Sequence, residues 1–133
     1  MVREIYKTGG RKFAFLNLPA ADCSPSFRAL NLNITGSGSC FKGVSSYIIP
    51  HNKALVQLVQ QLAKKLTGFK YSVYDFYSGS LQRINHPSLY GYKEAKTACC
   101  GTGKFRGVFS CGGKRLVKEY ELCKNIGDHI FWD

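Results

Sequence analysis

Acidic residues are scarce in this sequence, and the short motifs that usually mark a metal site or a nucleophile are missing. Eight Asp and Glu stand against nineteen Lys and Arg, which gives a formal net charge of +11. No CxxC or CxxxxC spacing occurs, and zinc sites usually need such a turn to aim two thiolates at one ion. Neither a GxSxG nucleophile turn nor a GxxxxGK[ST] phosphate loop is present. The sequence therefore predicts no metal and no cofactor.

Long hydrophobic runs are also missing. No apolar stretch approaches the length that a membrane span requires, so no transmembrane segment is expected. The first ten residues, MVREIYKTGG, lack the apolar region of a signal peptide. The basic residues are spread from Arg3 to Lys124 without a basic arm or tail. Such a charge suits a polyanion, but the missing motifs argue against a dedicated nucleic-acid binder.

The composition is that of one globular domain. The chain has 133 residues, of which 44% are hydrophobic and 20% charged, with only 4 Pro. These values fit a folded protein with its own core. We therefore expect a single domain over residues 1–133.

The even number of cysteines favours disulfide bonds in a protein that passes through an oxidising compartment. Adjacent Cys99 and Cys100 are poorly placed to bond each other, because a vicinal disulfide strains the peptide between them. The simplest arrangement gives them different partners and leaves one pair in the first loop. The six candidates are Cys23, Cys40, Cys99, Cys100, Cys111 and Cys123. Pairing Cys99 and Cys100 with Cys111 and Cys123, and Cys23 with Cys40, is one choice among the fifteen connectivities that six cysteines allow.

A glycosylation sequon agrees with secretion. Asn33, Ile34 and Thr35 form the acceptor pattern within a Gly/Ser-rich stretch, NITGSGSC, which we expect to be a loop. The whole segment from Pro19 to Ser46 is predicted to be rich in loops.

The N-terminal third predicts the start of an α/β unit. Residues Val2 to Lys7 are typical of the last turns of a helix that Gly9 and Gly10 end. The apolar run from Lys12 to Leu18 then predicts a parallel strand buried on both faces.

A helix and a second strand follow. Asn52 is a plausible N-cap, after which Leu55, Leu58, Val59, Leu62 and Leu66 recur at helical spacing, and Gly68 ends the helix. The aromatic-rich stretch from Tyr71 to Tyr77 predicts a strand. Strand, helix and strand joined by short links form a βαβ unit, so the two strands should be parallel with a right-handed crossover.

The segment from about residue 79 to residue 123 carries four of the six cysteines and many turn signals. Its apolar residues follow no regular period, which argues against a sheet. We interpret it as a loop excursion held by disulfides.

Candidates for chemistry inside the chain are weak. Ser80 lies near a strand end and is better explained as a cap or turn residue. His51, His86 and His129 are each typical of surface or capping positions. Asp75 could orient a histidine, but a structural role at the strand end is favoured. Asp133 follows the aromatic pair Phe131 and Trp132.

Several stretches together carry a family resemblance. These are IYKTGGRKFAFLNLPAADCSP, GFKYSVYDFY, NHPSLYGYKEAKTACCGTG, FSCGG and LCKNIGDHIFWD, in this order. They resemble the C-terminal half of the plant GDSL esterase/lipase family, also called SGNH hydrolases, over essentially the whole chain. The resemblance implies a flavodoxin-like α/β/α fold, secretion and the hydrolysis of carboxylic esters, including lipids.

The resemblance also implies a role for Asp133. In the family, FWD is followed by two residues and a histidine, and the aspartate orients that histidine as general base to a serine. The family's GDS serine block and its oxyanion glycine and GxND blocks have no counterpart in MVREIYKTGGRKF. The family's Gly-Pro-Leu-Gly-Cys loop is replaced by LPAADC, which puts Asp22 at the expected active-site end.

Three interpretations remain open. In the first, the chain is a truncated ester hydrolase that is inactive alone, because removing a triad serine or histidine costs orders of magnitude in rate. In the second, it is a noncatalytic secreted module whose basic surface binds an acidic polysaccharide or a partner protein. In the third, it is a fragment without a role of its own.

Overall fold

The computed structural model describes residues 1–111 and 120–133, and its helices and strands alternate as in α/β proteins. Four helices are α1 (Val2–Lys7), α2 (Pro25–Thr35), α3 (Lys42–Lys65) and α4 (Phe76–Asn85). Five strands are β1 (Lys12–Leu16), β2 (Lys70–Tyr74), β3 (Cys100–Thr102), β4 (Phe109–Ser110) and β5 (Glu121–Leu122). Short 3₁₀ turns cover Ala21–Cys23, Pro87–Tyr90, Lys104–Arg106 and Ile126–Asp128.

Strands β1 and β2 form the parallel pair that the βαβ pattern predicted. Their register runs from Lys12 opposite Lys70 to Leu16 opposite Tyr74. The parallel arrangement is confirmed, and it places the carboxyl ends of both strands at one edge, where α/β proteins build their sites.

The expectation that β1 is buried on both faces is wrong. Phe13 and Phe15 pack towards Val59 and Leu62 of α3 in one apolar cluster. Leu16 points away and is 66% exposed. Helix α3 covers one face of the pair, and among the described residues nothing comparable covers the other.

The loop predicted from Pro19 to Ser46 is largely helical. Ser24 caps α2 by accepting a hydrogen bond from Phe27 N, and Pro25 occupies the first helical position. Gly36 ends the helix with φ of 75°, in the left-handed region. The prediction failed because α2 has a weak apolar stripe, and its Asn33, expected in a loop, lies on the exposed helical surface.

Helix α3 begins eight residues before Pro50 rather than after it. Asn52, predicted to be the N-cap, is a buried mid-helix residue. Val59 and Leu62 are buried as expected, but Leu58 of the same predicted stripe is 53% exposed. The proline misled the prediction because a proline usually breaks or starts a helix.

The strand expected over Tyr71 to Tyr77 ends at Tyr74, because Asp75 accepts from Ser78 N and starts α4. Helix α4 also occupies the start of the segment predicted as a loop excursion. Beyond it, β3 pairs antiparallel with β4 and with β5, so a small sheet exists where none was expected. The glycines and cysteines obscured this sheet, whose strands are only two or three residues long. Residues 112–119, part of the same predicted excursion, lie outside the described residues.

The disulfides agree with the arrangement expected for the cysteines. Cys23 bonds Cys40, Cys99 bonds Cys123, and Cys100 bonds Cys111. Adjacent Cys99 and Cys100 thus have different partners, as predicted. No helix in the described part of the chain is long and apolar enough to cross a membrane.

Candidate functional site

At the carboxyl ends of β1 and β2, one more backbone hydrogen bond, from Asn17 N to Tyr74 O at 3.3 Å, continues the pairing, and side chains make the further links. Asn17, the residue after β1, donates from Nδ2 to Asp75 Oδ1 at 2.9 Å. Its own Oδ1 accepts from Tyr77 N at 2.9 Å. Asn17 is buried, so both halves of its amide are used to hold the end of β1 against the start of α4.

Asn52 fixes the next step of the chain. Its Oδ1 accepts from Leu18 N at 2.8 Å, and its Nδ2 donates to Leu18 O at 2.9 Å. This paired contact replaces the sheet partner that the backbone of Leu18 would otherwise need. Asn17, Asn52 and Asp75 line one groove of about 580 Å³ at this edge, together with Ile49, Lys53, Val56, Val73, Tyr77 and Ser78.

Asp75 is the acidic group of this groove. Hydrogen bonds from Ser78 and from the Asn17 amide lower the pKa of its carboxyl group, because they favour the charged form. These donors come from the first turn of α4 and from the residue after β1, so the structure gives Asp75 the structural role that the sequence favoured.

A buried charged cluster lies beneath the loop that follows β1. Asp22 is 4% exposed, and its Oδ2 accepts from Ser45 Oγ at 2.7 Å. Arg28 is 6% exposed and donates to Cys23 O at 2.8 Å and to Gly38 O at 3.0 Å. Burial lowers the pKa of Arg28, while attraction to Asp22 and Glu94 opposes that shift. Arg28 thus places a positive charge near Asp22, whose Oδ1 has no hydrogen-bond partner among the described residues.

Asp22, which the sequence LPAADC has in place of the family's Gly-Pro-Leu-Gly-Cys loop, has a structural role. Asp22, the residue before disulfide-bonded Cys23, is not among the residues that line the groove. Its main-chain oxygen accepts from Phe41 N at 2.8 Å. We assign Asp22 to fastening the 3₁₀ turn Ala21–Cys23 to the start of α3.

The chain end that carries Asp133 is fixed by backbone hydrogen bonds. Cys99 N donates to Phe131 O at 2.9 Å, and Cys100 N donates to Trp132 O at 2.7 Å. Phe131 also packs against a cluster made of Ala20 and Cys23, in the loop after β1, and Ile84 of α4. The segment is therefore seated beside that loop, and the Asp133 side chain is exposed at its end.

Glu94 anchors the same segment from the other side. Its main-chain oxygen accepts from Ile130 N at 3.0 Å. Burial raises the pKa of Glu94, but hydrogen bonds from the backbone of Lys96, Thr97 and Ala95 and the charge of His129 outweigh it, so the net pKa is lowered. Glu94 stays ionised and holds the turn that precedes the paired cysteines.

The three histidines were expected at surface or capping positions, not as partners of Asp133. His51 and His86 are exposed in and after helices, and His129 Nδ1 lies 3.2 Å from Asn125 O. No hydrogen bond within residues 1–111 and 120–133 joins a histidine to Asp133. Ser80 Oγ accepts from Ala20 N at 2.9 Å and donates to Tyr77 O, so it is a structural hydroxyl.

Two clusters of possible metal ligands contain sulfur atoms that are already bonded. They are Cys99, Cys123 and His129, and Asp22, Cys23 and Cys40. Each includes a disulfide pair, and disulfide sulfurs offer no thiolate to a metal. Neither cluster among the described residues suits a metal ion.

A family model described as GDSL-like lipase/acylhydrolase matches residues 1–133. The chain belongs to this family. GDSL esterase/lipase 5 of Arabidopsis thaliana is 51% identical over 132 residues, which cover 99% of this chain and 34% of that relative. GDSL esterase/lipase 2 of the same plant is 46% identical over 134 residues, covering 100% of this chain and 35% of the relative.

A third GDSL relative carries a different description. The Inactive GDSL esterase/lipase-like protein 25 of Arabidopsis thaliana is 36% identical over 132 residues, which cover 99% of this chain and 29% of the relative. The chain thus spans about a third of the length of the curated relatives it matches. The family assignment confirms the resemblance found in the sequence motifs.

Four residues that hold this region together were not identified from the sequence, namely Asn17, Asn52, Arg28 and Glu94. A polar residue directly after an apolar strand is a signal that could have found Asn17. Asn52 offered no such signal, because its partner Leu18 lies thirty-four residues away in sequence.

Proposed function

We propose that residues 1–133 form the part of a carboxylic ester hydrolase that supplies the triad acid, Asp133. Family membership over the whole chain carries this proposal. The seating of the terminal segment beside the loop after β1 supports it, because that loop follows the strand end where α/β enzymes place their chemistry.

In this proposal Asp133 accepts a hydrogen bond from a histidine that lies outside the 133 residues. That histidine takes the proton of a serine nucleophile and then protonates the leaving alcohol. Asp133 orients the imidazole and stabilises its cationic form. Asn17 and Asn52 do not take part in the reaction. They fix the backbone at the carboxyl ends of β1 and β2, on which this edge of the sheet depends.

We expect no ester turnover from the 133-residue chain alone. The serine block, the oxyanion donors and the triad histidine of the family have no counterpart in its sequence. Removing such groups costs several powers of ten in rate. Hydrolysis of p-nitrophenyl esters by the refolded chain, abolished by Asp133→Ala, would contradict this expectation.

A chimera tests the positive half of the proposal. Residues 1–133 would replace the matching third of GDSL esterase/lipase 5, and esterase activity would be compared before and after Asp133→Asn. An asparagine keeps the shape but not the charge, and the change is expected to lower kcat by about four powers of ten. Because one relative is named as inactive, family membership alone does not settle turnover.

Two results of the chimera would overturn the proposal. One is a folded chimera without activity, and the other is an active chimera that Asp133→Asn does not affect. Asp128→Asn is the matched control, since Asp128 lies in the same segment but pairs with Lys93 at 3.2 Å. It should leave kcat within about twofold, as changes at exposed ion pairs usually do.

The substrates and location follow from the family. We propose carboxylic esters, including lipids, as substrates and an extracellular location. Three disulfides among the described residues support the location, because such bonds persist in oxidising compartments.

A second candidate is binding of an acidic polysaccharide, favoured by the charge of +11. In the described part of the chain, ion pairs involve Lys7, Lys93 and Arg106, so most basic side chains are available to a polyanion. Retention on a pectin column that falls steeply between low and moderate salt would support it. Absent or salt-insensitive retention would count against it.

A further inference from the structure

Asn33 lies at the exposed surface of α2, two residues after the buried Asn31. Its side chain is exposed, and Thr35 completes the acceptor pattern. No hydrogen bond in the described part of the chain engages the Asn33 amide. In the folded helix, Thr35 Oγ1 donates to Asn31 O at 2.8 Å, so the hydroxyl is occupied locally.

Asn33 also lines a groove between α2 and the turn of residues 104–108. The groove has a volume of about 610 Å³. Its walls include Leu30, which is 44% exposed, and Val108, which is 53% exposed. Among the described residues that line it, Lys104 is the one with a charge. A groove of this size is large enough for a ligand, and its apolar walls are costly to leave in water.

All six cysteines are paired, and this bears on where the chain folds. Such bonds form in the same oxidising compartments in which asparagine is glycosylated. The sequence holds one Asn-x-Ser/Thr pattern, so a glycan attached through this signal can only be on Asn33.

We propose that Asn33 carries an N-linked glycan whose first sugars lie in this groove. The amide nitrogen attacks C1 of an oligosaccharide held on a lipid diphosphate. The N–C1 bond forms, the C1–O bond to the diphosphate breaks, the lipid diphosphate leaves, and the amide gives up one proton. The C–H faces of the attached sugars cover Leu30 and Val108, which removes apolar surface from water.

The site is tested by expressing the 133-residue chain behind a cleavable secretion signal in plant cells. After the Cys23–Cys40 bond is reduced and alkylated, trypsin releases residues 29–42, which include Asn31 and Asn33, and mass spectrometry assigns the modified position. The expected result is hexosamine on Asn33 and none on Asn31. Asn33→Gln should abolish it, while Thr35→Ser should retain it because the hydroxyl remains. A secreted chain with three disulfides and an unmodified Asn33 would overturn the proposal.

The groove placement has its own test. Lys104 of the glycosylated chain is labelled with an amine-reactive reagent before and after enzymatic removal of the glycan, with exposed Lys12 as the internal control. We expect the labelling rate of Lys104 to rise at least threefold and that of Lys12 to stay constant. Equal rates at Lys104 would show that the glycan lies elsewhere. Both readouts are independent of ester hydrolysis, so they can fail while the proposed function stands.

Discussion

At the scale of single residues, buried side-chain amides supply backbone hydrogen bonds that a further sheet strand would otherwise supply. Asn52 satisfies both the N–H and the C=O of Leu18. Only a side chain with one donor and one acceptor on the same planar group can do this. The paired contact makes Asn52 sensitive to a change that leaves its size unaltered.

Asn52→Asp is expected to lower the free energy of unfolding by about 1–3 kcal/mol, because a carboxylate oxygen replaces the donor and faces Leu18 O. Urea denaturation at neutral pH measures the change. Asn85→Asp, at the exposed end of α4, is the matched control and should cost less than about 1 kcal/mol. Equal effects at the two positions would contradict the role given to Asn52.

The lowered pKa of Asp75 makes the stability of the fold depend on pH. Its pKa in the folded chain is below the ordinary value of 3.8 because of the hydrogen bonds from Ser78 and Asn17. The stabilisation is therefore complete above pH 3.8 and is lost as the pH falls through the lower, folded value. Asp75→Asn keeps a cap oxygen but does not titrate, so its unfolding free energy should fall less between pH 5 and pH 2, by the same linkage.

At the scale of elements, α3 is a helix with a proline inside it. Pro50 cannot donate to Ser46 O, and both residues are exposed. Pro50→Ala restores the bond and removes the ring clash, while it raises the entropy of the unfolded chain. We expect a net gain of about 1–2 kcal/mol, measured by thermal unfolding. A loss of stability would show that the packing around Asn52 needs the proline.

We expect the Cys99–Cys123 disulfide to help fix the position of the terminal segment that carries Asp133. Trp132 is the only tryptophan in the sequence and is 47% exposed. Its carbonyl oxygen accepts a hydrogen bond from Cys100 N. Replacing Cys99 and Cys123 with serine should loosen the segment, because the neighbouring strand β3 loses its covalent tie to β5. Trp132 emission should shift to longer wavelength and become more accessible to acrylamide.

Replacing Cys23 and Cys40 with serine is the control for this experiment. That pair ties the loop before α2 to the segment before α3. Cys23 lies in the cluster that Phe131 packs against, but β3 and the hydrogen bonds that Cys99 N and Cys100 N donate to the terminal segment stay in place. Loss of the Cys23–Cys40 bond should change Trp132 emission less. If both double variants leave the emission as in the parent chain, the disulfides do not set the position of the segment.

At the scale of the whole molecule, the two-stranded sheet exposes apolar surface. Among the described residues β1 pairs with β2 alone, and Leu16, Leu18 and Tyr74 are 66%, 41% and 49% exposed. An exposed strand edge with apolar side chains pairs readily with another chain.

The 133-residue chain is therefore expected to self-associate as its concentration rises. Leu16→Lys should reduce association in sedimentation velocity, because a charge at a strand edge opposes pairing. Leu89→Lys is the matched control, since Leu89 is 79% exposed but lies outside the sheet. An equal reduction by both variants would mean that charge alone, and not the strand edge, governs association.

Local patterns in the sequence were sufficient for the family, the βαβ unit and the expectation that Cys99 and Cys100 have different partners, while the structure decided that Cys99 bonds Cys123 and Cys100 bonds Cys111. The ACCGTG and FWD stretches, the apolar run before Pro19 and the adjacency of Cys99 and Cys100 each act over a few residues, so they can be recognised without a structure. Their outcomes rest on short-range chemistry, namely strand propensity and disulfide strain.

Tertiary structure alone decided the rest. Asn52 became a buried anchor because folding brought Leu18 to it, and Pro50 was tolerated inside α3 because packing against β1 and β2 offset its cost. Leu16 is exposed because α3 covers only one face of the strand pair, and Leu58 is exposed because it does not belong to the apolar cluster that α3 forms with the strands. These outcomes depend on contacts between residues far apart in sequence, which propensity and periodicity do not encode.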